Sequence, residues 1–218
     1  MHKIEALERL VEKGDAHAMT ELGIQSYDTG NFWRAIELLE AVTLCDGLNA
    51  RALCTLGMSY AEYKGKDKEI TDKVIRVWIQ ASQLGNKEAC LCLGKVYHNG
   101  YEGKLKIEPD FESSEHWYTE ALRFGQRIAL LYLGKLYNDK SPQTEDEAVI
   151  AYTYYNAFYV LTSQDKDEFK SLRDEAKREM ESIEKSAGEI NVSDKFFCAL
   201  RKSSSAMLER LSSRLKIS

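Results

Sequence analysis

Apolar residues recur through most of this 218-residue chain at intervals of three and four, the period of a helix with one buried face. Residues 166–185 show it plainly: Phe169, Leu172, Ala176, Met180 and Ile183 are spaced 3, 4, 4 and 3, and Glu and Lys fill the other side. The same reading predicts a first helix over about 3–13, with Leu7, Leu10 and Val11 on one side. Helical pairs follow at 16–29 and 32–45, 49–63 and 70–84, 87–99 and 112–124, and 127–139 and 145–162. Ala187-Gly188 is read as the stop of the helix over 166–185. A last helix is predicted from Ser193-Asp194, with Phe197, Leu200, Leu208, Leu211 and Leu215 on one stripe.

A second periodicity overlies the first. Leu-Gly pairs place glycines at 23, 57, 94 and 134, a spacing of 34, 37 and 40 residues. Self-similarity at that length marks an array of structural repeats. Mid-helix glycine costs about 1 kcal/mol relative to Ala, so its return at one register predicts a close helix crossing. Gly14, Gly85 and Gly125 each lie nine residues before a Leu-Gly glycine, and Gly47 lies ten before. They are predicted to end the paired helices, where a left-handed residue is needed. Pro109-Asp110 predicts a helix start. Lys64–Glu69, Gly100–Asp110 and Lys140-Ser141-Pro142 are read as the turns that join the pairs.

These motifs resemble the SEL-1-like repeat, a relative of the tetratricopeptide repeat, in the pattern A-x-x-x-L-G-x-x-Y-x-x-G followed by A-x-x-W-Y-x-x-A-A-x-x-G. The likeness runs from about Gly14 to Gln164. It is fullest in the third unit, at Ala89, Leu93, Gly94, Tyr97, Gly100, Gly103, Trp117, Tyr118, Ala121 and Gly125. The first unit departs: Tyr27 falls four residues after the glycine, and Gly30 with Ala35-Ile36 is closer to a plain tetratricopeptide repeat. The resemblance implies an all-α, right-handed α-α superhelix with capping helices at both ends. It also implies a solenoid over 1–164, a helical cap over 165–218, and a bacterial protein that works by binding another protein.

Composition agrees with a folded, helix-rich chain: 44% hydrophobic, 30% charged and only two prolines. A net charge of −5 disfavours nucleic acid or an anionic membrane as a whole-surface partner. The tail from 193 to 218 is about +4 by its six basic and two acidic residues. It is read as covering the open end of the array, or else as meeting a partner or a second copy. The oligomeric expectation is thus a monomer or a dimer through that helix. Charged residues at the start argue against a secretory leader, and no run is long enough to span a membrane. Five cysteines, at 45, 54, 90, 92 and 198, show no metal spacing. A cytoplasmic location is expected.

No arrangement of side chains signals catalysis, and neither metal nor cofactor is expected. The histidines at 2, 17, 98 and 116 lack a metalloprotease spacing. Gly100-Tyr101-Glu102-Gly103-Lys104 is followed by Leu105, where a phosphate loop needs Ser or Thr. Cysteine-rich relatives implied by the resemblance handle β-lactams and pair cysteines eight apart, whereas Cys45 and Cys54 are nine apart. A β-lactam hydrolase is therefore the weaker alternative, beside a cytosolic immunity protein that neutralises a toxin enzyme. The main reading is a concave partner-binding face on the first helix of each pair. By register it carries His17, Thr20, Ile24 and Tyr27, then Arg51, Cys54, Met58 and Glu62. Glu88, Leu91, Lys95, His98 and Asn99 follow, then Ile128, Leu131, Lys135 and Asn138. Lys95 and Lys135 occupy equivalent positions and are expected to meet an acidic segment. Trp33, Trp78 and Trp117 are expected in the core between helices.

Overall fold

The computed structural model describes residues 2–45, 49–64, 67–140, 144–165, 168–189, 202, 205–207 and 209. Helices in chain order are α1 (His2–Val11), α2 (Ala16–Asp28), α3 (Phe32–Cys45), α4 (Ala50–Lys64), α5 (Lys68–Gln83), α6 (Lys87–Gly103), α7 (Phe111–Arg123), α8 (Ile128–Asn138), α9 (Glu145–Leu161) and α10 (Lys170–Glu189). Among the described residues there is no strand. The fold is all-α, as the periodicity predicts. Two compact units divide the chain, residues 1–114 and 115–218.

The Leu-Gly register works as a set of notches. A Cβ built on Gly23 would come within 2.8 Å of the Leu39 side chain, one on Gly57 within 2.7 Å of Trp78 Cδ1, and one on Gly134 within 2.7 Å of the Tyr155 ring. Leu39, Trp78 and Tyr155 are all fully buried. Each is the large residue of the second helix of its pair, so the absent side chain lets the paired helices close on one another. At Gly94 the backbone carbonyl accepts a hydrogen bond from Ser114 Oγ at 2.9 Å.

Helix ends obey the second glycine set. Gly14, Gly85 and Gly125 have φ of 78°, 80° and 82°. At each, the amide after the glycine folds back onto the helix: Asp15 N to Leu10 O at 3.1 Å, Asn86 N to Ala81 O at 3.0 Å, Gln126 N to Ala121 O at 2.9 Å. That is the Schellman closure, which satisfies carbonyls a helix end would otherwise leave open. Side chains then start the next helices. Asp15 and Asn86 accept from the amides of Ala18 and Ala89, each at 2.8 Å, and Thr144 forms a reciprocal capping box with Glu147. Asp110 accepts from Ser113 N at 3.2 Å, at the start that Pro109-Asp110 predicts.

Three expectations change. Ala187-Gly188 does not stop α10, which runs on to Glu189. Trp33 is 57% exposed, because the first hairpin has a short turn and its notch residue is Leu39, six positions later. Trp78 is buried and Trp117 half-buried, so the three tryptophans are not equivalent. Gly47, the Ser141-Pro142 turn and Cys198 lie outside the described residues, and of the helix expected from Ser193 only residues 202, 205–207 and 209 are described, all of them helical.

Candidate functional site

Within the first unit, α2, α4 and α6 lie side by side. Arg51 Nη1 is 3.5 Å from Glu21 Oε1, Asn86 Nδ2 donates to Ala50 O at 3.1 Å, and Lys104 pairs with Glu62. These contacts align the three first helices in register. Their partners α3 and α5 form the other layer, joined where Lys73 Nζ reaches Glu40 Oε1 at 2.6 Å.

Most of the residues expected on the binding face lie on this row of helices. His17, Arg51, Glu88 and Asn99 are exposed, while Ile24, Tyr27, Met58, Glu62, Lys95 and His98 are half-buried. Tyr27 packs at 5.7 Å from the Phe32 ring. Burial and the nearby Glu62 carboxylate push its pKa to about 12. Thr20 is different: its side chain is buried and its hydroxyl donates to Ala16 O at 2.9 Å. Cys54 and Leu91 are buried as well.

Lys135 and Asn138 belong to α8 in the second unit. There α10 lies along α8, with Lys135 Nζ 2.7 Å from Glu175 Oε1 and Asn138 Nδ2 3.3 Å from Glu179 Oε2. Tyr152 of α9 donates to Glu184 of α10 at 2.8 Å. Ile128 is half-buried and Leu131 buried. The α8 position that matches Lys95 by register is therefore occupied by the chain itself.

The most distinctive feature of the row is the end of α6. The helix is regular through His98 and then breaks: Asn99 has φ −147°, and Gly100, Tyr101 and Glu102 have φ of 65°, 54° and 62°. Three consecutive left-handed residues reverse the chain, two of them not glycine. Left-handed backbone costs an L-residue roughly 1–2 kcal/mol, so the surroundings must hold the turn in place. They do. Asn99 Oδ1 accepts from Glu102 N at 2.7 Å, Leu105 N donates to Gly100 O at 2.8 Å, and Lys106 N donates to Thr71 Oγ1 of α5 at 3.3 Å. A Cβ on Gly100 would sit 2.7 Å from the Leu105 carbonyl oxygen, so only glycine fits there.

The turn delivers Tyr101 to the row. Its ring is buried, with its centroid 5.0 Å from that of Trp78. Two ammonium groups face it, Lys95 Nζ at 6.0 Å and Lys104 Nζ at 5.7 Å from the centroid. Each carries a carboxylate of the chain: Glu102 stands 3.5 Å from Lys95, and Glu62 pairs with Lys104. Burial raises the Tyr101 pKa far above the ordinary tyrosine value, so the ring is a neutral surface near two ion pairs. Reading Gly100–Lys104 only as a turn misses this arrangement. The signal available is a bulky aromatic between two turn glycines.

A second device also escapes the sequence reading. The tyrosine three residues after the notch is tied to an acid on the preceding second helix. Tyr60 donates to Glu40, and Tyr137 donates to Glu115. Lys73 completes the first cluster, its ammonium 4.4 Å from the Tyr60 ring centroid. Among the described residues, no group of three or more His, Cys, Asp and Glu is placed to hold a metal ion.

No family model matches the chain, and no curated protein matches it. Among solved structures it is similar to a protective antigen present in uropathogenic Escherichia coli strains displaying an SLR fold, with a TM-score of 0.68 and 19% identity. The match covers 98% of this chain and 42% of that one, so this chain spans less than half the length of that protein. The fold is thus that of SEL-1-like repeats. No helix among the described residues is long and apolar enough to cross a membrane.

Proposed function

We propose that this protein is a non-catalytic interaction module that binds a protein partner on the row formed by α2, α4 and α6. The observation that carries this reading is the alignment of exposed and half-buried groups of mixed chemistry on three neighbouring helices: His17, Arg51, Met58, Lys95 and His98. Half-buried apolar groups ringed by charge are what a protein interface is built from. Residues 165–218 are proposed to close the end of the array, since repeat stacks need a terminal cap. The location is proposed to be cytoplasmic. In support, Cys54 and Cys92, among the described residues, are not joined in a disulfide.

The test is capture from the native host on immobilised protein, run beside a variant carrying Arg51→Glu and Met58→Asp. A partner retained by the wild type and lost by the variant, with unchanged circular dichroism, supports the reading. Equal retention by both overturns it.

A further inference from the structure

The place where α2, α4 and the turn after α6 meet points to the chemistry of the partner, a step that rests on the reading of this row as a binding face. We propose that Glu62, with the hydroxyls of Tyr27 and Tyr101, receives an arginine side chain from a basic segment of the partner, and that Lys104 is the chain's own stand-in for it.

The argument begins from two unused hydroxyls. At Tyr60, Tyr137 and Tyr152 an acid of a neighbouring helix accepts the phenol hydrogen. Tyr27 and Tyr101 stand near an acid too, yet among the described residues neither hydroxyl has a hydrogen-bond partner. Tyr27 is half-buried and Tyr101 only 9% exposed. Burial is the main reason that both phenols keep their protons, and the Glu62 carboxylate adds to it at each, so the three groups lie within reach of one another's charge. Lys104 shows that a cation fits here. Its ammonium pairs with Glu62 and sits over the Tyr101 ring, 5.7 Å from the centroid, where the aromatic face attracts positive charge. The fit is incomplete, because an ammonium is a compact point charge and leaves both phenol oxygens unengaged. A guanidinium presents five donors in one plane, enough to hold a carboxylate and still reach the hydroxyl oxygens beside it. Met58 lies one turn before Glu62 on the same side of α4 and is half-buried, an apolar surface for the methylenes of such a side chain.

Burial sets the sign of the partner. Glu62 is 23% exposed and belongs to α4, whereas Lys104 is 38% exposed and lies one residue past the end of α6. The anion is the more withdrawn member of the pair and needs a cation close by. The ammonium is the member that can swing into water on its long stem. An incoming arginine replaces Lys104 one for one. The positive charge at the Tyr101 ring is then unchanged, that of Lys95 included, whose Nζ lies 6.0 Å from the centroid. An acidic segment would have to draw Lys104 away and leave Glu62 without its cation. Charge complementarity therefore selects a basic segment, and donor geometry selects arginine over lysine.

Under this assignment Lys104 is a competitor, which separates the proposal from a merely structural ion pair. Two fluorescently labelled Gly-Ser peptides are compared by anisotropy, one bearing arginines and the other lysines at the same positions. The wild type binds the arginine peptide about three- to tenfold more tightly than the lysine peptide. Glu62→Gln weakens arginine-peptide binding about tenfold. Glu37→Gln, the same change of net charge at an exposed site of α3, shifts it by less than about twofold. Lys104→Met tightens binding about two- to fivefold, and Lys13→Met, at an exposed site after α1, does not. Tyr27→Phe with Tyr101→Phe keeps both rings and abolishes the preference for arginine over lysine. Equal binding of the two peptides by the wild type overturns the proposal, as does a preference that survives in the double phenylalanine variant. So does Glu62→Gln binding no more weakly than Glu37→Gln, or Lys104→Met binding no more tightly than Lys13→Met. The Lys104 comparison decides the matter should Glu62→Gln fail to fold. If the Arg51→Glu, Met58→Asp variant loses a captured partner while the arginine peptide shows none of these responses, the binding face stands and this assignment alone falls.

Discussion

Trp78 lies directly over Gly57. A methyl group on that glycine would come within 2.7 Å of Trp78 Cδ1, and the indole cannot retreat. It is fully buried and its Nε1 donates to Cys54 O at 3.0 Å. The notch therefore admits glycine alone, and the cost of filling it is measurable.

Alanine scanning of the notches should give a graded series. Gly57→Ala gains about 1 kcal/mol of helix propensity. It loses more than that to overpacking and a strained hydrogen bond, for a net destabilisation of about 1–3 kcal/mol. Gly134→Ala meets the buried Tyr155 ring at 2.7 Å and should follow closely. Gly23→Ala is crowded by the branched end of Leu39, which can change rotamer, and touches Leu38 Cβ at an ordinary 3.5 Å, so it should cost least. Urea unfolding of the three variants checks the order. A Gly23 variant less stable than the Gly57 variant contradicts it.

Gly125 is the control for a different physics. Nothing lies within 4 Å of a Cβ placed there, yet its φ is 82°. Gly125→Ala should cost about 1 kcal/mol through the backbone alone. Gly125→Asn should recover part of that, because asparagine tolerates the left-handed region better than alanine does. Thermal midpoints of the two variants separate the effects.

Much of the fold is legible in the residues themselves. The Leu-Gly register marks the helix crossings, and the second glycine set marks the helix ends, because close approach excludes a side chain and positive φ favours glycine. Trp33 misleads because its type matches Trp78 and Trp117 while its register does not. Only the position of Leu39 opposite Gly23 reveals which residue fills the first notch. The row residues are legible by register as far as Arg51 and Lys95. Thr20 is not, since a threonine that bonds its own helix backbone has the same sequence signature as one that faces solvent. Nor is the Glu40–Tyr60 link visible, because the acid lies twenty residues before the tyrosine and nothing local ties them.

That link predicts how stability follows pH. Although burial opposes it, hydrogen bonds from Lys73 and Tyr60 hold the Glu40 pKa below its ordinary value of 4.5. A depressed carboxylate contributes stability above its unfolded pKa and loses it as pH falls through the folded one. Tyr60 works at the other limit. Its pKa is raised to about 12 by burial and by the hydrogen bond to Glu40, so its contribution is full below about pH 10 and is lost toward pH 12. Glu40→Gln should flatten the decline of stability below about pH 4.5, and Tyr60→Phe should flatten the alkaline decline. Denaturant midpoints across pH test both. An unchanged acid limb in Glu40→Gln counts against the cluster.

Lys95 and Lys135 match by register, yet their reversal should have different consequences. Lys135→Glu sets a like charge against Glu175, whose carboxylate stands 2.7 Å from the wild-type ammonium. It should loosen α10 from α8 at a cost of about 1 kcal/mol, moderated by partial exposure of the pair. Hydrogen exchange should rise along α10 and not in the first unit. Lys95→Glu should leave α10 protection unchanged and act on partner capture.

The loop after α6 carries one more implication. Lys106 is bonded to Thr71 and Lys104 to Glu62, so the strap between the third pair's helices hangs from the second pair, and Tyr101 shields Trp78. The modules that can be excised or shuffled therefore do not coincide with the repeats counted from the sequence. A fragment cut at Gly85 would strip the second hairpin of its lid. One cut beyond Asp110 would take the lid along, and is the better seam for splicing this array.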